Sequence, residues 1–189
     1  AVETWGFGVN RQRRVPAADQ VAAQRGKVDW RALDLDPAHR TASKGLQGLQ
    51  VDLGGIAKGY GVDAVAQSLD GLGVAHYMVE VGGEVRTKGV NGAGEPWQIG
   101  IEEPDATPQR ARHIVPLSGR AMATSGDYRI YFEEGGRRYS HEIDPATREP
   151  VRGSLASVTV VAKDCAWADA MATALFVMGA ERGYAYAVE

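Results

Sequence analysis

The chain carries a single cysteine, Cys165, in 189 residues. An internal disulfide is thereby excluded, and so is any zinc site built from several cysteines. The lone thiol does not fix a compartment, because exported proteins also lack cysteine pairs. No long apolar run is present. The longest, Ala170 to Gly179, is broken by Thr173 and is too short to span a bilayer. An excess of positive charge is missing as well. With a net charge of −3 and a pI of about 5.8, there is no electrostatic case for binding nucleic acid or an anionic membrane. Hydrophobic residues at 44% and charged residues at 24% are the balance of a globular chain and exclude disorder.

The ends are uninformative in a specific way. Ala1 to Gly8 contains no basic or apolar targeting segment. A chain opening on an aromatic, glycine-rich stretch is expected to be a fragment of something longer. Tyr184 to Glu189 alternates like a strand with no closing turn.

Between the ends, the pattern predicts a helix over Ala17–Gly26, a strand within Val28–Leu35 and a loop over Thr41–Gln50. A short strand over Leu49–Leu53 leads into Gly54-Gly55. Apolar residues at Ile56, Tyr60, Ala64, Val65, Leu69 and Leu72 then have helical spacing. Strands are predicted at Tyr77–Val81, Glu84–Lys88, Trp97–Glu102, Ile114–Leu117 and Ser157–Ala162. A hairpin is predicted around Gly135-Gly136, and Thr124 to Asp127 reads as a turn. Cys165–Gly179 reads as a helix apolar almost all round, hence buried. Consecutive strands with two principal helices imply an α+β fold with mainly antiparallel sheet.

Two constellations carry chemistry. Asp169 and Thr173 lie four residues apart in the apolar helix, on one face, about 6 Å apart along the axis. A carboxylate there needs a basic partner, backbone donors or a metal ion. A buried salt bridge, with Thr173 bonded back to the carbonyl four residues earlier, is one reading. A hard-cation site of oxygen ligands, suited to Mg²⁺, is the other. The second constellation is Val51 to Asp63, a glycine-rich turn entering a helix whose N-terminus offers unpaired N–H groups to an anion. Lys58 adds positive charge in its first turn. Neither common phosphate-loop fingerprint is present.

Asp52-Leu-Gly-Gly-Ile-Ala-Lys-Gly-Tyr-Gly-Val-Asp63 resembles the signature of the ApbE family, the FAD:protein FMN transferases. The resemblance continues in order through Val81 to Arg86, Ala123 to Arg129, Tyr139 to Thr147, Ser157 to Val161 and Ala168 to Thr173. It implies one ApbE-like domain over 1–189, lacking the family's N-terminal portion. It also implies Mg²⁺-dependent transfer of FMN from FAD onto a Thr or Ser hydroxyl of an acceptor protein, with release of AMP. By the same resemblance the metal ligands fall on Gly55 (through its carbonyl), Asp169 and Thr173. The FAD contacts fall on Asp52, Lys58 and Ile143, and the catalytic base on His141. A further acidic ligand found in some members is replaced by Ala172. Arg148 stands where the family usually has glycine. The family is largely exported, periplasmic or lipid-anchored. Two rival readings are an FAD pyrophosphatase giving FMN and AMP, and a non-catalytic FAD-binding module.

Overall fold

The computed structural model describes residues 1–9, 11–104 and 106–189. In chain order its elements are α1 (Ala18–Ala22), β1 (Leu33–Asp36), β2 (Thr41–Lys44), α2 (Ala57–Gly71), β3 (Tyr77–Val81) and β4 (Glu84–Lys88). There follow β5 (Trp97–Glu102), β6 (Ala111–Leu117), β7 (Ala121–Gly126), β8 (Tyr131–Glu134), β9 (Arg137–Ser140), β10 (Ser157–Ala162) and α3 (Cys165–Val188). Every strand pair is antiparallel, and α2 and α3 are the two long helices, as the α+β expectation required. No helix among the described residues is long and apolar enough to cross a membrane.

The chain divides into two compact units. One comprises Ala1–Asp52 and Ile130–Arg152, the other Leu53–Arg129 and Gly153–Glu189. The first unit holds two hairpins, β1–β2 and β8–β9. The turn of the second is Gly135-Gly136, with φ of 60° and 73°, the left-handed pair that a primed two-residue turn demands. Trp5 is buried and stacks on Tyr139, which stacks in turn on Phe132.

The second unit is a four-stranded sheet in the order β10-β7-β4-β3. Because side chains alternate along a strand, each strand shows one residue set to each face. Tyr77, Val79 and Ala121 join Val62 and Ala66 of α2 and Cys165 of α3 in one apolar cluster. Val85 and Met122 point the other way, into a cluster with Ile99 of β5 and Leu117 of β6. Burying each Val or Met of this size contributes roughly 1.5–3 kcal/mol.

Five local expectations are corrected. Thr41–Gln50 is not all loop, because Thr41–Lys44 pairs with Leu33–Asp36. Leu49–Leu53 forms no strand: it has no strand partner, and Val51 and Leu53 stay exposed. Thr124 and Ser125 lie in the central strand β7 rather than in a turn. Its start is Ala121-Met122-Ala123, and the small Ala121 and Ala123 are almost completely buried. Tyr184 to Val188 is helical rather than strand-like. Gly179, at φ 80° and ψ 174°, breaks α3, and helix resumes beyond it. Finally, the helix predicted from Ile56 onward forms, but of its named apolar positions Leu69 alone packs partly buried against the core. Ile56, Tyr60, Val65 and Leu72 are exposed, and Gly59, Val62, Asp63 and Ala66 are buried. The choice of face follows from Gly59. A Cβ there would sit 2.4 Å from the Cys165 carbonyl oxygen, so only glycine lets the α3 backbone approach this closely.

Candidate active site

The site in the second unit is built where α2 and α3 begin. Leu53's carbonyl accepts from the amides of Ile56 and Ala57, which turns the chain into α2. No side chain at Ile56 caps the helix. The cap comes from 110 residues away: the amide of Gly59 donates to Asp169 Oδ2 at 2.9 Å. The reciprocal bond also exists. Asp63, on α2, accepts from the amides of Cys165 at 3.0 Å and Ala166 at 2.9 Å, the first turn of α3. Each helix thus supplies the carboxylate that satisfies the other's orphan N–H groups. Arg86 of β4 adds a charged bond to Asp63 at 2.5 Å. Burial works against ionisation of Asp63. The two amides and Arg86 outweigh it and hold its carboxyl below the ordinary value of 3.8.

Asp169 is 3% exposed. Among the described residues no basic side chain forms an ion pair with it, so the buried salt bridge does not form; the compensator seen is a backbone donor at a helix N-terminus. Nor does Thr173 bond back along its helix: its hydroxyl lies 2.9 Å from Ser125 Oγ on β7. A Cβ at Gly55 would stand 3.1 Å from Thr173 Oγ1 and 3.2 Å from its Cγ2. Gly55 and Thr173 are therefore neighbours, across a gap that a larger residue would fill. Carboxylate, hydroxyl and main-chain carbonyl are hard oxygen donors, a set that suits Mg²⁺ completed by substrate phosphate. Among the described residues no group of three or more His, Cys, Asp or Glu side chains could hold a metal.

Lys58 projects from the first turn of α2, with its side chain about half exposed, and its Nζ meets Glu84 Oε1 at 2.6 Å. Glu84 lies in the Val81–Arg86 block, where the resemblance assigns it no role. Its signal was present, however: strand periodicity puts Glu84 and Arg86 on the same face, where they meet Lys58 and Asp63 of α2. Cys165 is fully buried and its thiol donates to the Val85 carbonyl at 3.6 Å. Burial, reinforced by Asp63, Glu84 and Asp169, pushes that thiol up to about 12, so it is no nucleophile at neutral pH.

Asp52, His141 and Ile143 belong to the first unit. His141 follows β9. Its amide donates to the Ile130 carbonyl at 3.1 Å, and its ring Nδ1 lies 3.2 Å from the same oxygen. A carbonyl only accepts, so Nδ1 is the donor in that contact, and Nε2 lies 3.6 Å from Glu142 Oε1. Phe7 packs edge-on against the imidazole, which is about one-third exposed. Ile143 bridges to Pro150 and closes a tight loop. Inside it the Asp144 carboxylate accepts from Ala146 at 2.8 Å, and Arg148 adopts φ of 65°. The turn geometry thus survives the replacement of glycine, with a non-glycine residue held left-handed at a cost of about 1–2 kcal/mol. Asp52 is exposed at the end of its segment.

A glycine turn at the start of α2 and the oxygen groups of Asp169 and Thr173 thus lie in one part of the second unit. The chain belongs to the ApbE family, whose model matches residues 1–189. It is 48% identical over 185 residues to the FAD:protein FMN transferase of Haemophilus influenzae, covering 96% of this chain and 54% of that protein. It is 47% identical over 187 residues to the FAD:protein FMN transferase of Vibrio cholerae, covering 98% and 55%. Among solved structures it is similar to the flavin transferase ApbE from Vibrio cholerae, with a TM-score of 0.86 and 46% identity, over 98% of this chain and 59% of that one. It is also similar to apo Pseudomonas stutzeri flavinyl transferase ApbE, with a TM-score of 0.84 and 43% identity, over 98% and 57%. The chain spans about half the length of the curated relatives it matches.

Proposed function

We propose that the protein containing this chain transfers FMN from FAD onto a Thr or Ser hydroxyl of an acceptor protein, with Mg²⁺, and releases AMP. The observation that carries the reading is the placement of α3's Thr173 beside Gly55 and of its Asp169 on the Gly59 amide, both at the start of α2. Bound there, Mg²⁺ would neutralise charge on the phosphoryl oxygens of the diphosphate. The chain's own residues do the rest. Asp169, Thr173 and the Gly55 carbonyl hold the cation. Lys58 and the α2 dipole attract the diphosphate. Asp52 and Ile143 contact the dinucleotide. His141 Nε2 takes the proton of the acceptor hydroxyl as its oxygen bonds to the FMN phosphorus. The P–O bond to the AMP phosphate breaks, and AMP departs with the bonding electrons.

Function outside the cytoplasm belongs to the same reading, and fractionation of cells expressing the full-length protein tests it. The activity is tested by incubating the full-length protein with FAD, Mg²⁺ and an acceptor domain. Covalently flavinylated acceptor is the expected product. Free FMN with AMP would instead make the protein a pyrophosphatase, and unchanged FAD would make it a binding module.

A further inference from the structure

Glu84 is the largest fully buried side chain among the described residues, at 1% exposure. A carboxylate removed from water is costly unless paired and hydrogen-bonded. Glu84 is only half provided for: Oε1 meets Lys58, and Oε2 has no hydrogen-bond partner among the described residues. Burial pushes its carboxyl up, Lys58 opposes this, and Asp169 adds to it. An apolar residue at the start of β4 would avoid the penalty, so the fold alone does not account for this glutamate.

The surroundings of Lys58 do account for it. A Cβ at Gly82 would stand 3.2 Å from Lys58 Cδ and 3.7 Å from Glu84 Oε2. Gly82 also has φ of 64°, which disfavours a side chain independently. The Gly82-Gly83-Glu84 turn therefore clears a path for the lysine stem and ends it on a counter-charge. A lysine without such a partner would sample many rotamers. Its ammonium carries three donors. Glu84 takes one, and the side chain remains about half open to solvent.

We propose that Glu84 is a positioning residue: it holds Lys58 extended over the Gly82–Gly83 turn, so that the remaining ammonium donors face the diphosphate of FAD. The proposal rests on the reading of Lys58 as an FAD contact. Glu84 touches no substrate here and acts only through Lys58.

The test is a double-mutant cycle in the full-length protein with Lys58→Met, Glu84→Gln and both together. FAD affinity is read from flavin fluorescence at fixed Mg²⁺, with riboflavin, which lacks the diphosphate, as control. Each single substitution is expected to weaken FAD about tenfold or more and to leave riboflavin unchanged. The double variant is expected to match Lys58→Met within about twofold. Melting gives a second readout. Lys58→Met strands a buried carboxylate and lowers Tm, and adding Glu84→Gln restores it. Should Glu84→Gln not fold, Glu84→Asp, which keeps the charge but shortens its reach, carries the same cycle. Equal losses from the Glu84 change with and without Lys58 overturn the proposal. So does unchanged FAD affinity in Glu84→Gln while Lys58→Met is weakened, a result that leaves the FAD reading standing. If Lys58→Met itself binds FAD normally, that reading and the proposal fall together.

Discussion

Asp169 Oδ2 and the amide of Gly59 are joined by a hydrogen bond of 2.9 Å. One carboxylate therefore ends up both at the top of α2 and among the candidate metal ligands. Two roles fall on one side chain, and substitution can separate them.

Asp169→Asn keeps an oxygen for Gly59 and discards the charge. The variant should stay folded, with Tm close to the parent, and lose Mg²⁺-dependent FAD binding. Asp169→Ala also orphans the buried Gly59 donor, which costs about 1–3 kcal/mol, partly offset by removal of a buried charge. Gly55→Ala should impair the same site without removing a ligand atom, because its new methyl would crowd Thr173. Calorimetric titration of Mg²⁺ in the presence of FAD checks all three, and parent-like affinity in Asp169→Asn would count against a metal role.

Gly59 and Gly61 make a matched pair two residues apart on one helix. Gly59→Ala drives a methyl into the backbone of Cys165 and Ala166 and should destabilise by at least about 2 kcal/mol. Gly61 has nothing within 4 Å of its would-be Cβ. Gly61→Ala should therefore stabilise by about 0.5–1 kcal/mol through helix propensity. Urea denaturation of the two variants gives opposite signs if the helix crossing is as described.

Asp63 supplies an acid-sensitive part of the stability. Its carboxyl titrates lower in the folded chain than in the unfolded one, so above 3.8 its contribution is fully present. As pH falls below that value and through the folded pKa, the contribution disappears. Asp63→Asn should cost about 3–5 kcal/mol at neutral pH, since it breaks a buried ion pair. The gap between parent and variant should be flat above 3.8 and narrow in acid. A gap independent of pH down to acid unfolding would show that charge at Asp63 is not the cause.

His141→Ala should lower the rate of FMN transfer by about 10²- to 10⁴-fold and leave FAD affinity within about twofold, because the imidazole serves the acceptor rather than the dinucleotide. The full-length protein and a quantified acceptor are required. Loss of FAD binding with unchanged turnover per bound FAD would reassign His141 to binding.

Much of this was legible in the residues. Glycine pairs, β-branched runs and the apolar stretch after Cys165 located β3, β4, β10 and α3 because those signals are local. The buried face of α2 was not legible. Hydrophobic spacing favoured Tyr60 and Val65, whereas the packing is decided by the close approach at Gly59, which only the partner helix reveals. Strand β7 was hidden for a similar reason. Thr124, Ser125 and Gly126 have turn-forming composition, but pairing with Thr159, Val158 and Ser157 of β10 overrides it. At the site, resemblance marked Asp169, Thr173 and Gly55. Glu84 received no role because its partner Lys58 lies 26 residues away in the sequence, and only the packing of α2 against β4 joins them.

The reciprocal capping has a consequence for proline. The first position of a helix normally tolerates that residue well, since its amide has no partner within the helix. In α3 the amide of that position, Cys165, is already committed to Asp63, as is the amide of Ala166. The start of this helix should consequently reject proline at both positions while accepting many other small side chains there.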